Sequence, residues 1–221
     1  MARVDYQHQL ESLREDVVAM SDLVLERYDQ ALSALEEKDA ATARDVIEGD
    51  QEINERYLEL EGDCIDLFAL QQPVAGDLRF VASSFKVVTD LERIGDLAVN
   101  LAQYGLAAEE DRYPEVDAIQ IGAETGAMVA DAMAAYEAGD ADAARRVAAR
   151  DDHVDDRCER ASVIVVQDLL LNDGSGDQAA IVDDVSRLLL TIRDLERVGD
   201  HAINVCARTV YMVEHDEGLI Y

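Results

Sequence analysis

Two stretches of the chain place carboxylates one helical turn apart: Glu92 and Asp96, followed by Asn100, and Glu196 and Asp200, followed by Asn204. The spacing is i, i+4, i+8, and at about 100° per residue the three side chains fall within an arc of about 80° on one helix face. Two carboxylates so placed can share a cation. A donor set made of oxygen, with no Glu-x-x-His and no CxxC nearby, suits Mg²⁺, Mn²⁺, Ca²⁺ or oxidised iron better than a structural zinc ion. Like charges four apart weaken a helix by roughly 0.2–0.5 kcal/mol, so the pairs require either a counterion or solvent. The plainer alternative is a solvated acidic face with Arg93 and Arg197 as partial neutralisers. Recurrence of both pairs in one frame, DLERIGD and DLERVGD, puts the cation on an equal footing with the solvated face. Asp50 and Asp151, with Asn54 and Asp155 one turn on, repeat in the same way on the preceding segment and are placed to approach the stripe from a neighbouring helix.

The elements that would position these residues come from a duplication. Residues 31–54 align without gaps on residues 132–155 at nine identities in twenty-four, and residues 90–103 align on 194–207 at eight in fourteen. The second copy carries about three more residues between the matched blocks, and the GSG of LNDGSGDQ is a suitable place for them. Apolar residues recur at three- and four-residue spacing without strand-like alternation, so each half reads as three long helices. Leu10, Leu13, Val17, Met20, Val24 and Tyr28 mark the first helix. It should stop near Glu37, with Asp39 as N-cap of the next; in the second copy Gly139 and Asp140 supply the C′ and N-cap positions. Pro73 fits the first turn of helix three, which can run to about Ala108. Leu91, Ile94, Leu97, Ala98 and Leu101 lie opposite the acidic stripe, turning it away from its own core. Gly95 and Gly199 each cost about 1 kcal/mol relative to Ala in a helix, which suggests that a backbone or a ligand approaches there. The expected architecture is all-α, two tandem three-helix bundles side by side or end to end, spanning 1–110 and 111–221 with the junction near Tyr113-Pro114.

Composition narrows the function. Asp and Glu number 49 against 19 Lys and Arg, a net charge of -30 with a pI near 4.2. Nucleic acid and anionic membrane are thereby disfavoured as partners. Lys38 and Lys86 are the only lysines, and an acid-rich, lysine-poor surface of this kind is expected of a salt-loving host, where molar salt screens charge to about 3 Å. Cys64, Cys158 and Cys206 form no CxxC and read as reduced core thiols. No stretch approaches the roughly 18 apolar residues of a spanning helix, so the expectation is an unanchored cytoplasmic protein without direct membrane insertion.

LQQPVAGDLR followed by DLERIGDLAVN, and again DLERVGDHAIN, resemble the paired signatures of the PhoU family, and the likeness spans nearly the whole chain. That resemblance implies a regulator of phosphate uptake acting by contact with the ATPase subunit of a phosphate ABC transporter and with a sensor kinase, as a homodimer. It also implies metal ions, iron, zinc, manganese or magnesium, as multinuclear clusters on the E(D)-x-x-x-D motifs. The ligands it implies are Glu92, Asp96, Glu196 and Asp200, with Asp50, Asp151 and Asp155 as contributors. Two departures stand out: Asn54 occupies a position where Asp would complete the helix-two pattern, and the second copy lacks the QPVAGDLR lead-in. A carboxylate-bridged di-metal enzyme is disfavoured by the absent Glu-x-x-His; His201, beside Asp200, reads as a packed or surface histidine. Phosphate-binding glycine loops and a nucleophile elbow are absent, and no nucleophile has a plausible base, so no catalytic residue is expected. A metal-free helical adaptor, binding through apolar helix surfaces, is the alternative.

Overall fold

The computed structural model describes residues 2–70, 75–107, 116–171, 178–216 and 218–219. The described residues form seven helices and no strand: α1 (Ala2–Glu37), α2 (Ala40–Leu70), α3 (Ala75–Ala107), α4 (Ala118–Ala138), α5 (Ala141–Ala148), α6 (Asp151–Leu171) and α7 (Gln178–Glu214). Pro73, the Tyr113-Pro114 junction with the 110/111 boundary, and the GSG loop lie outside the described residues.

The first helix forms as its spacing dictates. Leu10, Leu13, Val17, Met20, Val24 and Tyr28 are all buried, and they make one stripe on α1 against α2 and α3. Asp39 caps α2 as expected: its side chain accepts from the Ala41 amide at 2.8 Å and from the Thr42 hydroxyl at 2.7 Å. Gly139 ends α4 in the left-handed region at φ 62°, and the Asp140 side chain accepts from the Ala143 amide at 2.8 Å to start α5. These tight caps fold consecutive helices back on one another, which builds the bundles.

One expectation requires correction. The second copy of helix two is not a single helix but two, α5 and α6, separated by a turn at Ala149 and Arg150. There the backbone tightens, with the Arg150 amide donating to the Val147 carbonyl and the His153 amide to the Arg150 carbonyl. Two sequence differences from the unbroken α2 favour the restart. Asp151 and Asp152 place negative charge in the first turn of α6, where the helix dipole stabilises it. Arg150 stands where the first copy has Gly49 and reaches across to Asp131 at 2.6 Å.

The bundles lie side by side. α3 packs along α7, and α1 packs along α4. Where α1 meets α4, the Tyr28 and Thr125 hydroxyls share a 2.8 Å hydrogen bond in a fully buried site beside the Gly122 carbonyl. A Cβ at Gly122 would stand 2.5 Å from a Leu32 methyl and 3.3 Å from Leu195, so a larger residue there would force Leu32 to shift. Arg14 of α1 donates to the carbonyls of Tyr136 and Glu137 at the C-terminus of α4 and covers the Phe80 ring at 4.8 Å, tying α1, α3 and α4 together. The three cysteines are free and buried, as expected.

Candidate functional site: two carboxylate clusters beside a helix pair

The expected partnership between helices two and three is present in both halves. Glu92 and Asp96 of α3 share the electrostatic surroundings of Asp50 on α2; Glu196 and Asp200 of α7 share those of Asp151 and Asp155 on α6. Glu92, Glu196, Asp50 and Asp151 are half-buried, whereas Asp96, Asp155 and Asp200 reach the surface. The first cluster thus holds three carboxylates, with Asn54 donating to Asp50 at 2.7 Å where the second has Asp155. The stripe is turned from its own core and meets the edge of the preceding helix.

This proximity shifts acidity. Burial, followed by the charges of Asp96 and Asp50, pushes the Glu92 carboxyl above its ordinary range, and burial and Asp50 do the same to Asp96. In the second half burial and then Asp155 raise Glu196 and Asp200. Asp151 is pushed up to about 6 by burial and by Asp155, Asp200 and Asp152. Positive charge opposes this only in part: Arg93 at Glu92, and Arg197 at both Asp96 and Asp200. Desolvated carboxylates repelling one another are the environment in which a hard cation gains most from oxygen ligands. Among the described residues, no three His, Cys, Asp or Glu side chains stand at metal-ligand spacing around one point.

Glycines 95 and 199 admit neighbouring side chains. A Cβ on Gly95 would meet Ile53 of α2 at 3.1 Å, so glycine there lets α2 approach α3; at Gly199 the nearest atoms belong to Thr125 and Val154 at ordinary contact distance. Asn100 and Asn204 reach across to the other half. Asn100 donates to Asp194 at 3.2 Å and Asn204 donates to Asp90 at 3.0 Å, a reciprocal pair across the α3–α7 interface. Tyr104 donates to the same Asp194 oxygen at 3.0 Å, and His201 Nδ1 lies 2.9 Å from Asp90. His201 is a packed histidine, 7% exposed, and its place is taken by Leu97 in the first half.

Asp90 and Asp194 are the residues that sequence reasoning missed. They are 6% and 3% exposed and fasten the two halves to each other. A signal was available: helical register sets Asp90 on the same face as Ile94, Ala98 and Leu101, an acidic residue on an apolar stripe, repeated in both copies.

The PhoU domain family model matches the chain twice, over residues 17–105 and 118–209, once in each half. The chain belongs to the PhoU family. A Pseudomonas putida relative, named as a phosphate-specific transport system accessory protein PhoU homolog, is 35% identical over 208 residues, 93% of this chain and 79% of the relative. A Clostridium acetobutylicum relative of the same name is 32% identical over 216 residues, 96% of each chain. The crystal structure of PhoU from Pseudomonas aeruginosa superposes with a TM-score of 0.86 at 32% identity, covering 96% of this chain and all of that one. The all-α duplicated architecture read from the sequence is therefore the PhoU fold, and both DLER motifs lie inside the matched regions.

Proposed function

We propose that this PhoU protein is a cytoplasmic regulator of phosphate uptake that acts by contact with the ATPase subunit of a phosphate transporter and with a sensor kinase, as a homodimer carrying divalent or ferric cations on its two carboxylate clusters. The observation that carries this reading is the match of both halves, over nearly the full length, to relatives named as accessory proteins of phosphate-specific transport. Those names are of accessory proteins rather than enzymes, which fits a chain whose motifs supply no nucleophile with a base. None of the described helices is long and apolar enough to cross a membrane, in keeping with a partner that meets the transporter at its soluble subunit.

The clusters support a cation by their donor chemistry. Glu92, Asp96 and Asp50 would hold one, and Glu196, Asp200, Asp151 and Asp155 the other, drawn together by rotation about their side-chain torsions. The bound charge would neutralise carboxylates that repel one another and fix α2 to α3 and α6 to α7. In cells, deleting the gene should derepress phosphate uptake in phosphate-rich medium, and restoring the wild-type gene should reverse this. Uptake unchanged by the deletion in both rich and poor medium would show that the regulatory role is wrong.

The net charge of -30 implies strong self-repulsion, which salt screens. We expect a higher melting temperature in molar KCl than in dilute buffer. Equal midpoints would remove the salt-adapted reading of the surface and leave the regulatory one standing.

A further inference from the structure

The outward face of α2 carries an uncovered apolar line. Leu58, Gly62, Ile65 and Ala69 follow one another at i, i+4, i+7 and i+11, which sets them in register along the helix. All four are exposed, Leu58 by 62% and Ile65 by 53%, while α2 packs on α1 and α3 by its other faces. Gly62 stands in the middle of the line, and a Cβ built there would meet nothing within 4 Å. Glycine weakens a helix interior relative to alanine, so packing within the described chain does not account for it. A second helix seated on the line would, because glycine admits a close backbone. Carboxylates flank the line, Glu55, Glu59 and Asp66 on one side and Glu61 on the other, and Arg56 reaches Asp16 and Glu59 from behind. The second half repeats the apolar line without the charge. Continuing the alignment of the two copies, Gly62, Ile65 and Ala69 correspond to the exposed Val163, Val166 and Leu170 of α6, with Glu159 in place of Leu58. The four flanking carboxylates correspond to Asp156, Arg160, Ser162 and Gln167, one carboxylate against one guanidinium.

We propose that this face of α2 is the docking site of a cationic amphipathic helix on a partner protein, whose apolar side lies along Leu58, Gly62 and Ile65 and whose Lys or Arg side chains meet the flanking carboxylates. This rests on the reading that the chain acts by contact with partner proteins, and does not depend on cations at the clusters. A helix is recognised through apolar anchors at three- and four-residue spacing, and the charges around them choose the partner and fix its register. The same charges work against the other occupants. A second copy would set its own carboxylates against these in a chain of net charge -30, and an anionic lipid surface would be repelled. The line on α6 serves as the internal control, apolar in the same way but with no preference for positive charge.

The test uses the full chain and a labelled synthetic peptide of about 18 residues, with leucines at i, i+3, i+4 and i+7 flanked by lysines. Two controls accompany it, a scrambled peptide of the same charge and a twin with glutamate in place of lysine. Binding is read by fluorescence anisotropy at a salt level where circular dichroism shows full helicity. The amphipathic lysine peptide should bind at least about tenfold more tightly than either control. Its affinity should fall at least about tenfold in L58S/I65S and in Gly62→Leu, and stay unchanged in V163S/V166S. Gly62→Ala should melt above the wild type, which separates the glycine from any need of the fold. Equal binding of the amphipathic and scrambled lysine peptides, or of the wild type and L58S/I65S, would reduce the interaction to attraction by net charge and overturn the proposal. A wild-type dimer in sedimentation that L58S/I65S turns into monomer would assign the face to a second copy and overturn it as well. Neither result touches the regulatory reading, which stands or falls on phosphate uptake in the deletion strain.

Discussion

Replacing Asp90 by Ala is expected to lower the melting temperature by about 3–10 °C, whereas replacing Glu92 by Gln, two residues along the same helix, raises it by about 1–2 °C in cation-free protein at pH 7. The opposite signs follow from what each carboxylate meets. Asp90 is the acceptor for Asn204 and the partner of His201 across the interface, and its removal strands the buried His201, while the exposed Asn204 can turn to water. An unsatisfied buried polar group costs about 1–3 kcal/mol, and in a chain of this length each kcal/mol moves the midpoint by about 2–4 °C. Asp194→Ala should behave similarly through Asn100 and Tyr104. Glu92 instead is desolvated by burial and repelled by Asp96 and Asp50, so its folded pKa lies above the ordinary carboxylate value. A group raised in this way contributes stability below its unfolded value and loses it as pH rises through the folded one. For Asp151, raised from 3.8 to about 6, the loss falls between those two values. Thermal melts of the four proteins across that range decide the matter: an Asp90→Ala variant that melts with the wild type would show that the reciprocal network does not hold the halves together.

Cation loading should give the second large effect. Protein stripped with a chelator and then supplied with cation at about 100 times the dissociation constant should gain about 2.7 kcal/mol at each of its two sites, a total rise of about 10–20 °C. The E196Q/D200N variant preserves size and helix while removing two charges, and it should lose about half of that rise. Adding E92Q and D96N should abolish the remainder. Because the same substitutions relieve repulsion in the stripped protein, a smaller gap between stripped and loaded melts is diagnostic even where both midpoints increase. Identical melts with and without cation in the wild type would make the clusters solvated surface, and the metal-free helical adaptor would become the better reading.

Much of this molecule was legible in one dimension. Helix periodicity placed the α1 stripe from Leu10 to Tyr28, and short-range capping chemistry placed the ends at Asp39, Gly139 and Asp140, because these depend on residues within a turn of one another. The duplication located the paired carboxylates and the contributors Asp50, Asp151 and Asp155 on the preceding helices. The turn that divides α5 from α6 was missed, since the periodicity of residues 141–171 carries through it and the restart depends on Arg150 reaching Asp131.

What tertiary structure alone decided is which polar residues face the clusters and which face the other half. Asn100 and Asn204 share the stripe with the carboxylates by register, yet their amides donate across the interface to Asp194 and Asp90. The close approach at Gly95 is by Ile53, and the burial of His201 against Asp90 is set by a residue more than a hundred positions away in the chain. Sequence determined the helices, their caps, the repeat and the acidic faces, because each rests on spacing along one segment. The pairing of the halves through α3 and α7 rests on contacts between segments that no local spacing encodes. Register sets the Asp of each DLER motif on the apolar side of its helix, and only the fold shows that what it meets there is the other half.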